Sequence, residues 1–186
     1  MEITEYLAQF HGITAKIAQM GKVKPNFLNK KNYEAALERW KTLSGEELTR
    51  LDQEIGSAEV IYKSFVYTPT ALCYNSVGVL NVIPVKDILW IYPRVFTQRM
   101  NFIPYNKMHQ ILVLERSGEY HVIQVASTGG FSKKDPAGDI IQKMAQTIKP
   151  VRPGIVFGYS KEIEAYFSGD LQQAAAEIDR RSYGQA

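Results

Sequence analysis

Apolar positions in the first 20 residues recur in helical steps. Ile3, Phe10 and Ile17 stand seven apart, and Tyr6, Ile13 and Met20 fill the complementary positions. This a/d pattern predicts an amphipathic helix, which Gly12 weakens by about 1 kcal/mol relative to alanine. The stretch "GKVKPNFLNKKN" is a loop by its Gly, Pro and Asn content. Residues 32–43 predict a second helix with Tyr33, Ala36, Leu37 and Trp40 on one side. Ser44 and Glu47 form a capping box that opens a third helix to about Ile55, with Leu48, Leu51 and Ile55 inward and Gly56 at its stop.

From Ser57 the texture changes to β-branched and aromatic residues with frequent turn signals. Strands are expected near residues 58–67, 70–75, 78–83, 86–97, 107–116 and 119–126, the last two joined by a tight hairpin at Ser117-Gly118. Asp135 followed by Pro136 predicts a capped helix running to about Ile148, with Ile140, Ile141 and Met144 available to pack. "IVF" reads as a short strand, Ser160 as the cap of "KEIEAYF", and Asp170 as the cap of a last helix with Leu171, Ala174, Ala175 and Ile178 inward.

One strand breaks the usual alternation. "KDILWIYPRV" is apolar on both faces, with Ile88, Trp90, Tyr92 and Phe96 on one side and Leu89, Ile91 and Val95 on the other. A strand with one wet face alternates apolar and polar residues, so something is expected to cover the second face. The N-terminal stripe of Ile3, Phe10, Ile17 and Trp40 and the tail residues Ile163, Phe167 and Leu171 are the expected cover, in cis. The heptads of the first helix offer the rival, a homo-oligomer contact.

The segments "VKDILWIYPR", "RSGEYHVIQV" and "RPGIVFGYSKEI" resemble a family of uncharacterised bacterial proteins with pleckstrin-homology-like domains. The resemblance spans residues 58–168 and falls on Asp87, Ile88, Trp90 and Tyr92, and on Pro153, Gly158, Tyr159 and Ser160. It implies an α+β fold: a small antiparallel PH-like β-barrel closed by a helix. It carries no established reaction. The expected organisation is a helical segment over 1–56, a barrel with its closing helix over 57–150, and an extended segment with a helical tail over 151–186.

Composition narrows the function. The chain has 186 residues and a net charge of +3, long enough to bury a core without disulfide or metal staples. Its single cysteine, Cys73, sits in an apolar run and reads as a buried residue rather than a nucleophile. No signal peptide or membrane span is visible, so a cytoplasmic location is expected. The middle, residues 60–152, carries 11 Lys/Arg against 5 Asp/Glu, while both flanks are mildly acidic.

Catalytic constellations are not visible. "GYSKE" places Ser160 between a turn and a helix, which an N-cap explains. "STGGFSKKD" lacks the order and spacing of a phosphate loop. The histidines, His11, His109 and His121, have no cysteine or carboxylate recognised near them, so no metal and no cofactor is expected, although a hairpin would bring His109 and His121 onto adjacent strands. The first hairpin, "VYTPTALCY", has no Lys or Arg, which argues against phosphoinositide binding. The favoured reading is a non-catalytic binding or scaffold module with a protein partner. A second is an anion- or nucleic-acid-binding module using Arg94, Arg99, Lys107 and Tyr105, with Phe96 and Phe102 interleaved. A third is an enzyme whose site the sequence does not reveal.

Overall fold

A computed structural model describes residues 2–184. The chain is α+β, and its strands form two separate sheets. It divides into two compact units, Met1–Pro84 and Val85–Ala186.

In the first unit, α1 (Ile3–Tyr6), α2 (His11–Gln19), α3 (Lys30–Thr42) and α4 (Gly45–Ser57) precede an antiparallel meander of β1 (Phe65–Tyr67), β2 (Ala71–Ser76) and β3 (Val79–Pro84). The single helix expected over the first 20 residues is broken between Tyr6 and His11. Its heptad residues Ile3, Ile13, Ile17 and Met20 are all buried, packed with Trp40, Leu51 and Ile55 against Val66, Cys73, Leu80 and Val82. The stripe therefore belongs to this unit's own core. It neither forms a coiled-coil seam nor stands free as a cover. Polar ties pin the layers together: Trp40 Nε1 donates to the Leu80 carbonyl at 3.1 Å, and Asn75 Nδ2 donates to the Met20 carbonyl at 2.8 Å.

Gly12 has a packing reason that helix propensity hides. A Cβ at this position would lie 2.2 Å from the Asp52 carbonyl oxygen, so α2 approaches α4 as closely as backbone allows. The contact is fixed by a hydrogen bond from Ile13 N to Asp52 Oδ1 at 2.8 Å. The capping box of α4 forms as expected, with Glu47 N donating to Ser44 Oγ and Ser44 N to the Glu47 carboxylate.

Cys73 is buried in this core. Burial pushes its thiol up to about 12, far from the range of reactive thiolates. Mixing native protein with an aromatic disulfide reagent is expected to leave Cys73 unmodified until denaturant is added. Prompt labelling of the native chain would contradict this burial.

In the second unit a short 3-10 turn, Val85–Asp87, leads into β4 (Ile88–Met100), β5 (Ile103–Glu115) and β6 (Tyr120–Gly129). Then follow α5 (Pro136–Ile148), β7 (Val156–Phe157), α6 (Lys161–Ser168) and α7 (Leu171–Tyr183). The sheet order is β6-β5-β4-β7, antiparallel except for the β4–β7 pair. The two sheets do not make the single closed barrel that the sequence suggested.

A bulge at Leu89 explains the strand that was apolar on both faces. Ile88 pairs with Glu115 and Trp90 with Leu114, so Leu89 is the extra residue. Helix α5 lies against β4, β5 and β6 and buries Ala137, Ile140, Ile141, Met144 and Ile148. On the Trp90 side, Phe167, Ala174, Ala175 and Ile178 of α6 and α7 close over Trp90 and Leu114. The tail is therefore the cover of Trp90, which is 1% exposed. Trp90 Nε1 donates to the Gly158 carbonyl at 2.7 Å, satisfying the one polar atom of a buried indole.

Candidate functional site

Register decides which side chains share a face. Pairing Tyr92 with Leu112, Arg94 with Gln110 and Phe96 with Met108 places these six on one side of the sheet. Leu112 with Val122, Gln110 with Gln124 and Leu114 with Tyr120 extend that side onto β6. The tail covers this face only at the Trp90 end. Beyond it Phe96 is 57% exposed, and Tyr120 and Val122 are also exposed.

Across the middle of this open face runs a polar ladder. Arg94 Nε and Nη2 both donate to Gln110 Oε1, at 3.0 and 2.7 Å, and Gln110 Nε2 donates to Gln124 Oε1 at 3.3 Å. Arg94 is thus tied to the neighbouring strand, at a position between Tyr92 and Phe96 along β4. At the covered end the rings cluster, Trp90 stacked on Tyr92 and Tyr159 tilted against Tyr92. Trp90 and Tyr92 centroids are 4.0 Å apart, and Tyr92 and Tyr159 are 5.6 Å apart. The Tyr159 hydroxyl donates to Glu164 Oε2 at 2.6 Å, which raises its pKa, and burial raises that of Tyr92.

The β4–β5 ribbon ends in a two-residue turn at Asn101-Phe102. Both residues have positive φ, 49° and 67°. This is the geometry of a type I′ hairpin, in which the second position favours glycine. Here a phenylalanine, 94% exposed, occupies it. Met100, Ile103 and Tyr105 beside it are exposed as well.

The four residues of the basic-aromatic cluster do not form one patch. Arg94 faces the open side, whereas Lys107 pairs with Thr97 on the opposite side and donates from Nζ to the Ser132 carbonyl at 2.7 Å. Arg99 lies beyond a second irregularity, between Gln98 and Arg99, towards the turn, and Tyr105 is on the distal part of β5. The spacing along the chain concealed this division, because cross-strand parity sets the face and needs the register.

His109 and His121 also stay apart. His121 is opposite Val113, and His109 is opposite Ala126. His109 is buried, with Nε2 2.9 Å from Thr128 Oγ1, and its Nδ1 lies 3.8 Å from Asp135 Oδ1. His121 does have carboxylates beside it, contrary to the sequence reading: Glu115 and Glu119, folded back by the turn between β5 and β6. The signal was present as Glu-x-x-x-Glu-x-His around Ser117-Gly118, a spacing that a hairpin closes.

Ser160 accepts from Ile163 N at 3.2 Å and caps α6, and Asp135 accepts from Gly138 N at 3.1 Å and caps α5. Both act as helix caps. In the first unit a cavity of about 420 Å³ beside α3 is lined by Glu2, Phe27, Lys30, Tyr33 and Glu34, with no paired nucleophile and base among these. No described helix is long and apolar enough to cross a membrane. Comparison with protein-family models, with curated proteins and with solved structures gives no match.

Proposed function

We propose that this chain is a non-catalytic binding module that recognises a protein partner through the open face of the β4–β5–β6 sheet. The observation that carries the reading is the row of exposed Phe96, Tyr120 and Val122 side chains around Arg94, which is hydrogen-bonded to Gln110. Aromatic residues, Met and Arg are the types enriched in protein interfaces, and rigid aromatics and Arg are the usual energetic anchors. A protein partner fits better than nucleic acid, because Arg94 is the one Lys or Arg among the register-matched residues of this face. The strained, exposed Phe102 adds support. A bulky residue kept in the left-handed region costs about 1–2 kcal/mol, and such strain tends to be retained at functional sites. A pleckstrin-homology-like origin is part of the same proposal. It is supported by a strand meander followed at once by a helix, without the closed barrel.

The test compares wild type with Phe96→Glu in affinity capture from extracts of the cells that make the protein. Capture of one stoichiometric partner is expected for wild type and is lost for Phe96→Glu, at an unchanged melting temperature. Equal capture by both chains would remove this face from the function. Binding that collapses between about 50 and about 200 mM salt would instead identify a phosphate-driven ligand.

A further inference from the structure

Independently of the binding face, we propose that the β5–β6 hairpin holds a divalent transition ion of the zinc class on His121, Glu115 and Glu119. The imidazole Nε2 of His121 lies 3.2 Å from Glu115 Oε2 and 3.9 Å from Glu119 Oε2. One donor atom from each of the three lies within 4.8 Å of the others. A tetrahedral ion about 2.0–2.2 Å from nitrogen and oxygen donors sets those donors roughly 3.3–3.6 Å apart. The two measured separations bracket that value, and the two carboxylate oxygens lie within 4.8 Å of each other, so an ion would draw the exposed Glu119 carboxylate inward by up to about an ångström.

Burial supports the assignment. His121 and Glu115 are both more than nine-tenths buried and direct Nε2 and Oε2 at the same point, while Glu119 is largely exposed at the turn. The arrangement has two inner donors and one outer donor, and an ion held by them would take water at its fourth position. Two carboxylates and one imidazole nitrogen converging on one point are a donor set suited to a cation. The neighbouring Arg116 is committed elsewhere, with Nη2 on Asp179 at 2.9 Å and Nε 3.5 Å from Asp87. Mixed imidazole and carboxylate donors suit zinc-like ions rather than the all-oxygen sites of calcium or magnesium.

The backbone already holds the ligands in place. Glu115 N donates to the Glu119 carbonyl at 3.0 Å and Gly118 N to the Glu115 carbonyl at 2.9 Å, with Gly118 at φ 86°. Positive φ at Gly118 folds Glu119 back over Glu115, and His121 follows two residues on, opposite Val113. An ion here would clamp the hairpin that carries Tyr120.

The experiment titrates zinc chloride into full-length, chelator-treated protein by calorimetry in two buffers of different ionisation enthalpy, with cobalt(II) absorption as a reporter of geometry. About one equivalent of zinc is expected to bind with proton release, and cobalt is expected to give a tetrahedral spectrum. Glu119→Gln, an exposed change that leaves the fold intact by circular dichroism, is expected to weaken zinc at least about tenfold. His121→Gln is expected to abolish binding, and His109→Gln is expected to leave it unchanged. The proposal is overturned if wild type takes up no stoichiometric zinc, which would leave a His–Glu contact of structural use alone. It is equally overturned if Glu119→Gln binds as tightly as wild type.

Discussion

Replacing Arg152 with alanine is expected to lower the unfolding free energy of the second unit by about 1–3 kcal/mol, the usual cost of leaving a buried acceptor without its donor. The guanidinium is 1% exposed. Its Nη1 donates to the Val85 carbonyl at 2.6 Å, and its Nη2 donates to Asp179 Oδ1 at 2.8 Å. The Tyr183 ring lies 6.0 Å from Cζ. One side chain thus joins the first residues of this unit to its last helix. Burial works against the charge and lowers the Arg152 pKa, while Tyr183 and Asp179 pull the other way. Removing the cation leaves the Val85 carbonyl buried without this donor, although Asp179 keeps Arg116. Arg152→Met keeps much of the volume and no charge, so it is expected to cost less than alanine. Arg152→Lys is expected to fall short of wild type, because one ammonium cannot reproduce the fork. Urea unfolding followed by tryptophan emission measures all three. Equal midpoints for wild type and Arg152→Ala would show that the clamp carries no stability.

Two glycine substitutions in neighbouring helices are expected to shift stability in opposite directions. Gly12→Ala is expected to destabilise by about 2 kcal/mol, although alanine is the better helix former by about 1 kcal/mol. The added methyl would sit 2.2 Å from the Asp52 carbonyl oxygen. Relieving that overlap means moving α2 off α4, and overpacking of this kind costs about 1–3 kcal/mol or more. Gly56→Ala has nothing within 4 Å of the new methyl. It is expected to stabilise by about 0.5–1 kcal/mol, the propensity gain alone. The measurement is the urea midpoint by far-ultraviolet circular dichroism. If both variants shift in the same direction, the close helix approach at Gly12 does not govern its identity.

Element types were legible wherever local chemistry decides them. The caps at Ser44, Asp135, Ser160 and Asp170 all form where the sequence placed them, because a cap needs only a side-chain oxygen and a nearby amide. Inward faces of the helices were legible for the same reason, with Trp40, Leu51, Met144 and Ile178 all buried. Partner choice was not. The N-terminal stripe and the second face of the Trp90 strand both looked unmatched, and matching them to each other was reasonable on pattern alone. The stripe packs instead on β2 and β3, and the tail takes Trp90. An apolar stripe states that it must be covered without stating by what. The basic-aromatic cluster failed on parity, since Arg94 and Lys107 point to opposite faces once the register is set. The His121 cluster was missed because its carboxylates lie across a turn, where sequence proximity has to be read through the hairpin.

The parallel pairing of β7 with β4 has a consequence for how the chain is made. Val156 and Phe157 add to the sheet beside Trp90 and Ile91, and the Gly158 carbonyl that receives the Trp90 indole lies 68 residues further along. At about 5–20 residues per second, a ribosome delivers that acceptor roughly 3–14 s after the tryptophan. Met1–Pro84, by contrast, contains its own core and can close while the rest is still being translated. The nascent second half therefore passes through a period with a bare β4 edge and an uncovered tryptophan, a natural client surface for chaperones. A ribosome that stalls before residue 156 leaves a product in which the first unit is complete and the second still exposes its aromatic interior.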